Sequence, residues 1–314
     1  CSKFILLCYL RRSNQTAVCV KNTMNNSNNF NITPAIDGFG ATLTGILLNG
    51  DLSTAQVTTV IAALNQYGVV SLPNQDFTPC SFENFSRRLG EFGDDPYVQS
   101  MEGFEHVIEV RRDPSETAPI FGSLWHSDWS FQKVPPSITA LYAVEIPPRG
   151  GDTLFADHRR AFESLSPKLK QFLISLEGVH SAGPAYSDTV GLFSRDDDTR
   201  SMKILVSPDA DNCVTHPVVR MHPPSGREAL YVNHVYTTAI KGLSESESDL
   251  ILKFLFSHCT REEFIYRHVW QPNTLLLWDN RCVSHYAEGG YEGYSRLLYR
   301  TTIAGEVPIA PEGF

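Results

Sequence analysis

From about residue 105 the chain becomes a series of short β-rich runs separated by turn residues. That pattern commits it to one β-rich domain decorated with a few helices. Residues 106–111 alternate apolar and polar side chains, and residues 138–145 form a longer β-rich run. The turn Pro147-Pro148-Arg149-Gly150-Gly151-Asp152 leads into a strand over 153–156. Strands resume at 218–221 and 229–232, and the chain closes with 274–278 and 296–302. Before and among these, helical spacing appears four times. Residues 53–67 place Val57, Val60, Ile61 and Leu64 on one face behind a capping Ser53. Residues 81–89 end at Gly90, 166–176 start with Pro167 at the first helical position, and 244–257 form the last helix. A strand is expected over 67–72. Residues 181–212 are irregular and contain Asp196-Asp197-Asp198, which reads as a mobile lid or a solvated turn.

With 314 residues and 42% hydrophobic content, the chain can bury one large core. No repeat and no break in composition divides it. Residues 31–314 are expected to form the domain and residues 1–30 a leader outside it. Residues 1–23 read as upstream translation, a fragment end or a poorly ordered leader, because Met24 opens an Asn-rich stretch. An N-terminal mass starting before Met24 in natively expressed protein contradicts that. The formal charge of −9 gives no electrostatic reason to bind nucleic acid or an anionic membrane, and the apolar run 4–10 is far too short to span a bilayer. Seven scattered cysteines without a C-x-x-C suit a reducing, cytoplasmic setting rather than a disulfide framework or a thiolate zinc site.

Chemistry is suggested first by His126-Ser127-Asp128. In a strand, positions i and i+2 share a face, so the imidazole and the carboxylate can reach one cation. Two His and one carboxylate on one face of an octahedron form the facial triad of non-haem Fe(II) oxygenases. A lone H-x-D is equally the mark of a surface polar pair. The second His has nine candidates, the ten histidines less His126. His216, His222 and His234 cluster, but strand-end histidines bonded locally explain them as well. His285 follows a strand and a turn, and beyond it lie Arg296 and Arg300. Their even spacing puts both guanidiniums on one face of a strand. Buried together they would repel unless anions lay between them, and a dicarboxylate co-substrate with an acidic substrate would supply those anions. Two solvated arginines on an edge strand are the plainer reading.

Taken in order, these words resemble the taurine/2-oxoglutarate dioxygenase (TauD/TfdA) family: His126-Ser127-Asp128 behind Trp125, Gly150-Gly151-Asp152-Thr153, then His285 followed by Arg296. Pro135-Pro136, His216-Pro217-Val218-Val219-Arg220, Trp270-Gln271-Pro272-Asn273 and Trp278-Asp279-Asn280-Arg281 also match, and the resemblance runs from about residue 32 to 308. It implies a β-rich α+β fold with a double-stranded β-helix (jelly-roll) core, flanking helices and a metal near one open end. It implies further that His126, Asp128 and His285 ligate Fe(II), that Thr153 and Arg296 hold the distal carboxylate of 2-oxoglutarate, and that Arg300 faces the acidic group of the prime substrate. O2 would be the second co-substrate, succinate and CO2 the co-products, and a dimer or tetramer the assembly.

One position departs from the family pattern. Taurine dioxygenases carry a sulfonate-binding His where this chain has Asp95, so taurine itself is disfavoured. Asp95 would instead face a cationic group or cap a turn. Tyr236, Trp129 and Phe131 are candidate pocket walls. The favoured reading is therefore a dioxygenase hydroxylating a small acidic substrate of the sulfonate, sulfate ester or aryloxyalkanoate type. The alternatives are a hydroxylase or desaturase of amino-acid or secondary metabolism, a non-catalytic jelly roll that binds a metal or small acid, and a zinc hydrolase.

Overall fold

The computed structural model describes residues 30–195 and 199–312. The Asp196–Asp198 run and residues 1–29 of the expected leader lie outside the described residues.

An edge hairpin, β1 (Asn31–Pro34) and β2 (Ala41–Thr44), precedes α1 (Thr54–Tyr67). Ser53 and Gln56 cap α1 reciprocally, and Gly68 ends it at φ 74, a left-handed turn that a side chain would strain. The expected strand 67–72 is thereby shortened to β3 (Val69–Leu72), because Tyr67 still belongs to the helix. The second helix, α2 (Pro79–Leu89), starts two residues earlier than its periodicity suggests, since Thr78 caps it with Pro79 in the first turn. Then come β4 (Ile108–Arg112), β5 (Ile138–Glu145) and β6 (Thr153–Asp157). Helices α3 (His158–Glu163) and α4 (Pro167–Ile174) follow, then β7 (Glu177–Ser181) and the short α5 (Gly183–Tyr186). After the irregular stretch lie β8 (Cys213–Pro217), β9 (Val219–His222), β10 (Arg227–Leu230), β11 (Thr237–Ile240) and α6 (Glu245–Cys259). The chain ends with β12 (Ile265–His268), β13 (Leu275–Asp279), β14 (Val283–Ala287) and β15 (Arg296–Ile303).

A seven-stranded sheet in the order β1-β2-β3-β13-β5-β15-β4 faces a three-stranded sheet in the order β12-β6-β14, the two walls of a double-stranded β-helix. Alternation decides which side chains meet between them. Ala140, Tyr142, Leu275 and Leu277 point outward and pack under α1 and α2 with Val60, Leu64, Phe82 and Phe85. Leu141, Ala143, Leu276, Trp278 and Leu298 point inward against Phe155 and Val283 of the smaller sheet. Full burial of each such side chain contributes about 1.5–3 kcal/mol. On the same inward parity as Leu298, Arg296 and Arg300 are both buried. A further core, centred on Phe162, Leu173, Val219, Leu230 and Leu255, packs α3, α4 and α6 against β9, β10 and β11.

Residues 123–130 are not a strand. His126 makes an isolated bridge to His285, and residues 128–130 form a turn. Trp129 adopts φ 44, which is uncommon outside glycine. His126 and Asp128 share a face because of this turn and not because of strand alternation.

Candidate metal centre

β14 pairs with β6 so that His285 lies opposite Phe155 and Ala287 opposite Thr153. On the other side of β14, His126 and His285 exchange both backbone hydrogen bonds, at 3.0 and 2.7 Å. The two imidazoles therefore project from neighbouring backbones with ring centroids 4.1 Å apart. The turn after His126 folds Asp128 back between them. Asp128 Oδ1 is 3.7 Å from His126 Nε2 and 3.9 Å from His285 Nε2, and the three ligand atoms lie within 4.8 Å of one another. The donor set is two nitrogens and one carboxylate oxygen on one side of a cavity, which leaves the opposite side of a bound ion open.

Each donor is braced. His126 Nδ1 lies 2.7 Å from the Leu124 carbonyl; donating there leaves the Nε2 lone pair facing Asp128. Thr139 donates to Asp128 Oδ2 at 2.6 Å, and Asn280 donates to Thr139 at 2.8 Å. Trp278 Nε1 in turn donates to Asn280 Oδ1 at 3.0 Å, which also receives the Asp128 amide at 3.2 Å. Burial alone would raise the Asp128 carboxyl, but Arg300, His285, His126 and the Thr139 hydroxyl hold it at about 2. Burial, with His126 beside it, lowers His285 to about 3 despite Asp128. Burial lowers His126 as well. A carboxylate between two neutral imidazoles is the protonation state that metal ligation requires.

Arg296 lies on the same inner wall as Arg300, but without a carboxylate. Among the described residues its Nη2 reaches only the Gly151 carbonyl, at 3.4 Å, and its buried Nε has no partner. Burial lowers its pKa, offset in part by Tyr291. Thr153 stands in the same cavity and accepts a hydrogen bond from Trp270 Nε1 at 2.9 Å, so its own hydroxyl proton is left to donate. An orphaned guanidinium beside a free hydroxyl donor fits one end of a dicarboxylate. The G-G-D word has its reason here. Gly150 sits at φ 68, and a Cβ there would fall 2.7 Å from the Gly289 carbonyl oxygen. That close approach carries Tyr291 to the Arg296 guanidinium, 5.8 Å from its ring centre.

A cavity of about 460 Å³ lies over His126, Asp128 and His285 and includes Thr153, Trp278 and Arg296. A second of about 460 Å³ adjoins it, sharing His126, Asp128 and Arg300, and is walled by Phe121, Trp129, Tyr186, Phe193 and Tyr236. Of the expected substrate residues, Arg300, Trp129 and Tyr236 line this second cavity. Phe131 does not; it packs behind Tyr236 at 5.0 Å between centroids. Asp95 does not line it either. It sits behind the wall, accepting from Trp129 Nε1 at 2.5 Å and Thr302 Oγ1 at 2.8 Å, and 3.5 Å from Arg300. The cation expected to face Asp95 is thus Arg300, and no turn is capped. Burial raises the Asp95 carboxyl, opposed by Arg300, Thr302 and Trp129. Tyr186, Phe121 and Phe193 escape sequence reading because they lie on single helical turns and a loop, too short to show a period. Asn280 and Trp270 stand in quoted words, but nothing local reveals what they hold.

Among the described residues a second group, His222, Asp279 and Cys282, also has metal-compatible spacing. Its donors are already used. His222 bonds Asp279 at 2.9 Å and Ser225 at 2.6 Å, while Arg281 bonds both Asp279 oxygens. His216 bonds the Gln132 carbonyl at 2.9 Å and His234 stacks on Phe256 at 4.4 Å.

A jelly roll that presents three hard donors on one side of a cation site, next to a bare guanidinium, has the working parts of a non-haem iron oxygenase driven by a keto acid. The comparisons agree. The family described as "Taurine catabolism dioxygenase TauD, TfdA family" matches residues 29–302. An alpha-ketoglutarate-dependent sulfate ester dioxygenase of Pseudomonas putida is 32% identical over 281 residues, covering 89% of this chain and 91% of that protein. An alkylsulfatase of Acinetobacter baylyi is 31% identical, covering 87% and 84%. A solved taurine dioxygenase from Burkholderia xenovorans superposes with a TM-score of 0.75 at 31% identity, covering 91% and 94%. This chain belongs to the TauD/TfdA family of dioxygenases. It is a non-haem Fe(II) enzyme that uses 2-oxoglutarate and O2.

Proposed function

We propose that the enzyme hydroxylates an anionic organic substrate with an apolar body, of the sulfate ester, sulfonate or aryloxyalkanoate type, releasing succinate and CO2. The observation that carries this is the position of Arg300. Its guanidinium stands where the cavity over the metal ligands meets a second cavity walled by aromatic rings. An anionic head at Arg300 would lay its neighbouring carbons beside His126 and Asp128 and its body among Trp129, Tyr186 and Phe193. Leu124 and Leu192 continue the apolar lining to the rim, where each is about half exposed. Among the described lining residues the one carboxylate is Asp128, a proposed metal ligand, and no other of them is available to the ammonium group of an amino acid or of taurine.

In this reading His126, Asp128 and His285 hold Fe(II), and Thr153 and Arg296 bind the far carboxylate of 2-oxoglutarate. The metal and keto acid supply the oxidising power when bound. The chain's part is to orient the target carbon and exclude water. If the hydroxylated carbon bears a sulfate ester oxygen, the product collapses to an aldehyde and free sulfate. The relatives named a sulfate ester dioxygenase and an alkylsulfatase support that outcome.

The test is succinate formation by anaerobically reconstituted Fe(II) enzyme after O2 addition, with alkyl sulfates, sulfonates, aryloxyalkanoates and amino acids offered separately. Turnover stimulated by an anion with an apolar tail is expected; stimulation by amino acids alone would refute the proposal. Four free cysteines among the described residues support a reducing, cytoplasmic setting, and no helix among them is long and apolar enough to cross a membrane. Apolar side chains exposed on α4 and α6, including Phe172, Leu250 and Phe254, support a homo-oligomer, which light scattering would read.

A further inference from the structure

Arg300 is not a free cation. It is 3.0 Å from Asp128 Oδ1 on the metal side and 3.5 Å from Asp95 Oδ1 on the other. Trp129 lies between, its ring centre 5.1 Å from the guanidinium carbon and its indole N–H bonded to the same Asp95 oxygen. The Asp95 contacts are the Trp129 N–H, the Thr302 hydroxyl and a guanidinium. An indole N–H and a hydroxyl donate to this carboxyl and a guanidinium lies beside it, surroundings that suit its ionised, acceptor-only form.

We infer that Asp95 is a specificity-determining residue that acts through Arg300. By pairing with the guanidinium from behind the cavity wall, it lowers the positive charge offered to the substrate, so that the site takes singly charged heads and rejects doubly charged ones such as phosphate monoesters. With Fe(II) and 2-oxoglutarate bound, one divalent cation and two guanidiniums face two carboxylates and a dicarboxylate. The loaded site is then neutral before any substrate enters. A monoanion adds one charge, which local hydrogen bonds to Arg300 offset, whereas a dianion adds a second that nothing compensates. Asp95 touches neither cavity, so its effect is one of field and aim. It holds Trp129, at its left-handed φ, and Arg300 in one arrangement.

This inference rests on the anionic-substrate reading, and the experiment separates the two. Hexyl sulfate, hexyl phosphate and 1-hexanol are titrated calorimetrically, without O2, into the enzyme loaded with Fe(II) and 2-oxoglutarate, as wild type, Asp95→Asn and Asp95→Ser. Loss of one carboxylate near Arg300 should tighten hexyl sulfate about tenfold and hexyl phosphate by more, with 1-hexanol unchanged. Hexyl sulfate bound equally or more weakly by both variants overturns the inference and leaves the substrate reading intact. A gain shared by 1-hexanol, or loss of folding in both variants, assigns Asp95 a packing role and also overturns it. If neither anion binds any of the three proteins, the substrate reading and the inference fall together.

Discussion

Replacing Arg296 by methionine should stabilise the protein without its co-substrate while ruining its hold on 2-oxoglutarate. The guanidinium is buried, its Nε is unpaired, and its one hydrogen bond, to the Gly151 carbonyl, is long at 3.4 Å. Leaving a buried polar group unsatisfied costs about 1–3 kcal/mol, more for a charge. Against this stand the rings of Trp270 and Tyr291, with centres 5.9 and 5.8 Å from the guanidinium carbon. Those distances are at the outer limit of a cation–π contact, so each is worth about 0.5–1 kcal/mol. Methionine keeps most of the packing volume, so the net gain should be about 1 kcal/mol, a rise of about 1.5–2 °C in Tm. Binding moves the other way. Losing the partner of a buried carboxylate costs about 2–5 kcal/mol, roughly 30- to 5,000-fold in Kd. The assay is thermal unfolding with and without 2-oxoglutarate under anaerobic conditions with Fe(II), together with calorimetry for Kd. A saturating ligand raises the wild-type Tm and should raise the variant's by less. A variant less stable than wild type by more than about 1 kcal/mol, or one binding 2-oxoglutarate within about threefold of wild type, would refute the reasoning.

Three further outcomes are expected. His126→Ala and His285→Ala should each lose Fe(II) and turnover, read by metal content after gel filtration; full iron occupancy in either removes that residue from the ligand set. Arg300→Gln should weaken the coupled reaction while sparing slow, uncoupled decarboxylation of 2-oxoglutarate, because Arg296 and Thr153 are untouched; equal loss of both contradicts the division of labour. His158 is buried between the Leu230 carbonyl and the Ser284 hydroxyl, and burial lowers it from 6.5 to about 4. Between those values the unfolded chain takes up a proton that the folded one refuses, so stability falls as pH drops through that window. The loss should be about 2 kcal/mol between pH 7 and pH 5. Urea unfolding at both pH values should show a smaller loss in His158→Gln, and an identical loss would exclude His158 as a source.

Much of the fold is legible in the residues. Capping side chains and apolar spacing locate α1 and α6 to within two residues, and β-rich runs identify β5, β13 and β15. Shorter strands such as β7, β11 and β12 are hidden, because four or five residues carry too little period to stand out from turns. The H-x-D pair was visible as chemistry but misread as a strand, since a left-handed Trp129 leaves no trace in spacing.

The sequence by itself determined that Arg296 and Arg300 share one strand face, the turn demanded by Gly150 and Gly151, and a short menu of metal donors. All of these follow from local stereochemistry and periodicity. Only the tertiary structure decided which histidine joins His126, which arginine is left bare, and what Asp95 does. Those depend on strand register and on contacts between residues as far apart as Asp95 and Thr302. Arg296 and Arg300 are chemically identical and share one strand face. The carboxylates that the fold carries to one and withholds from the other separate their roles.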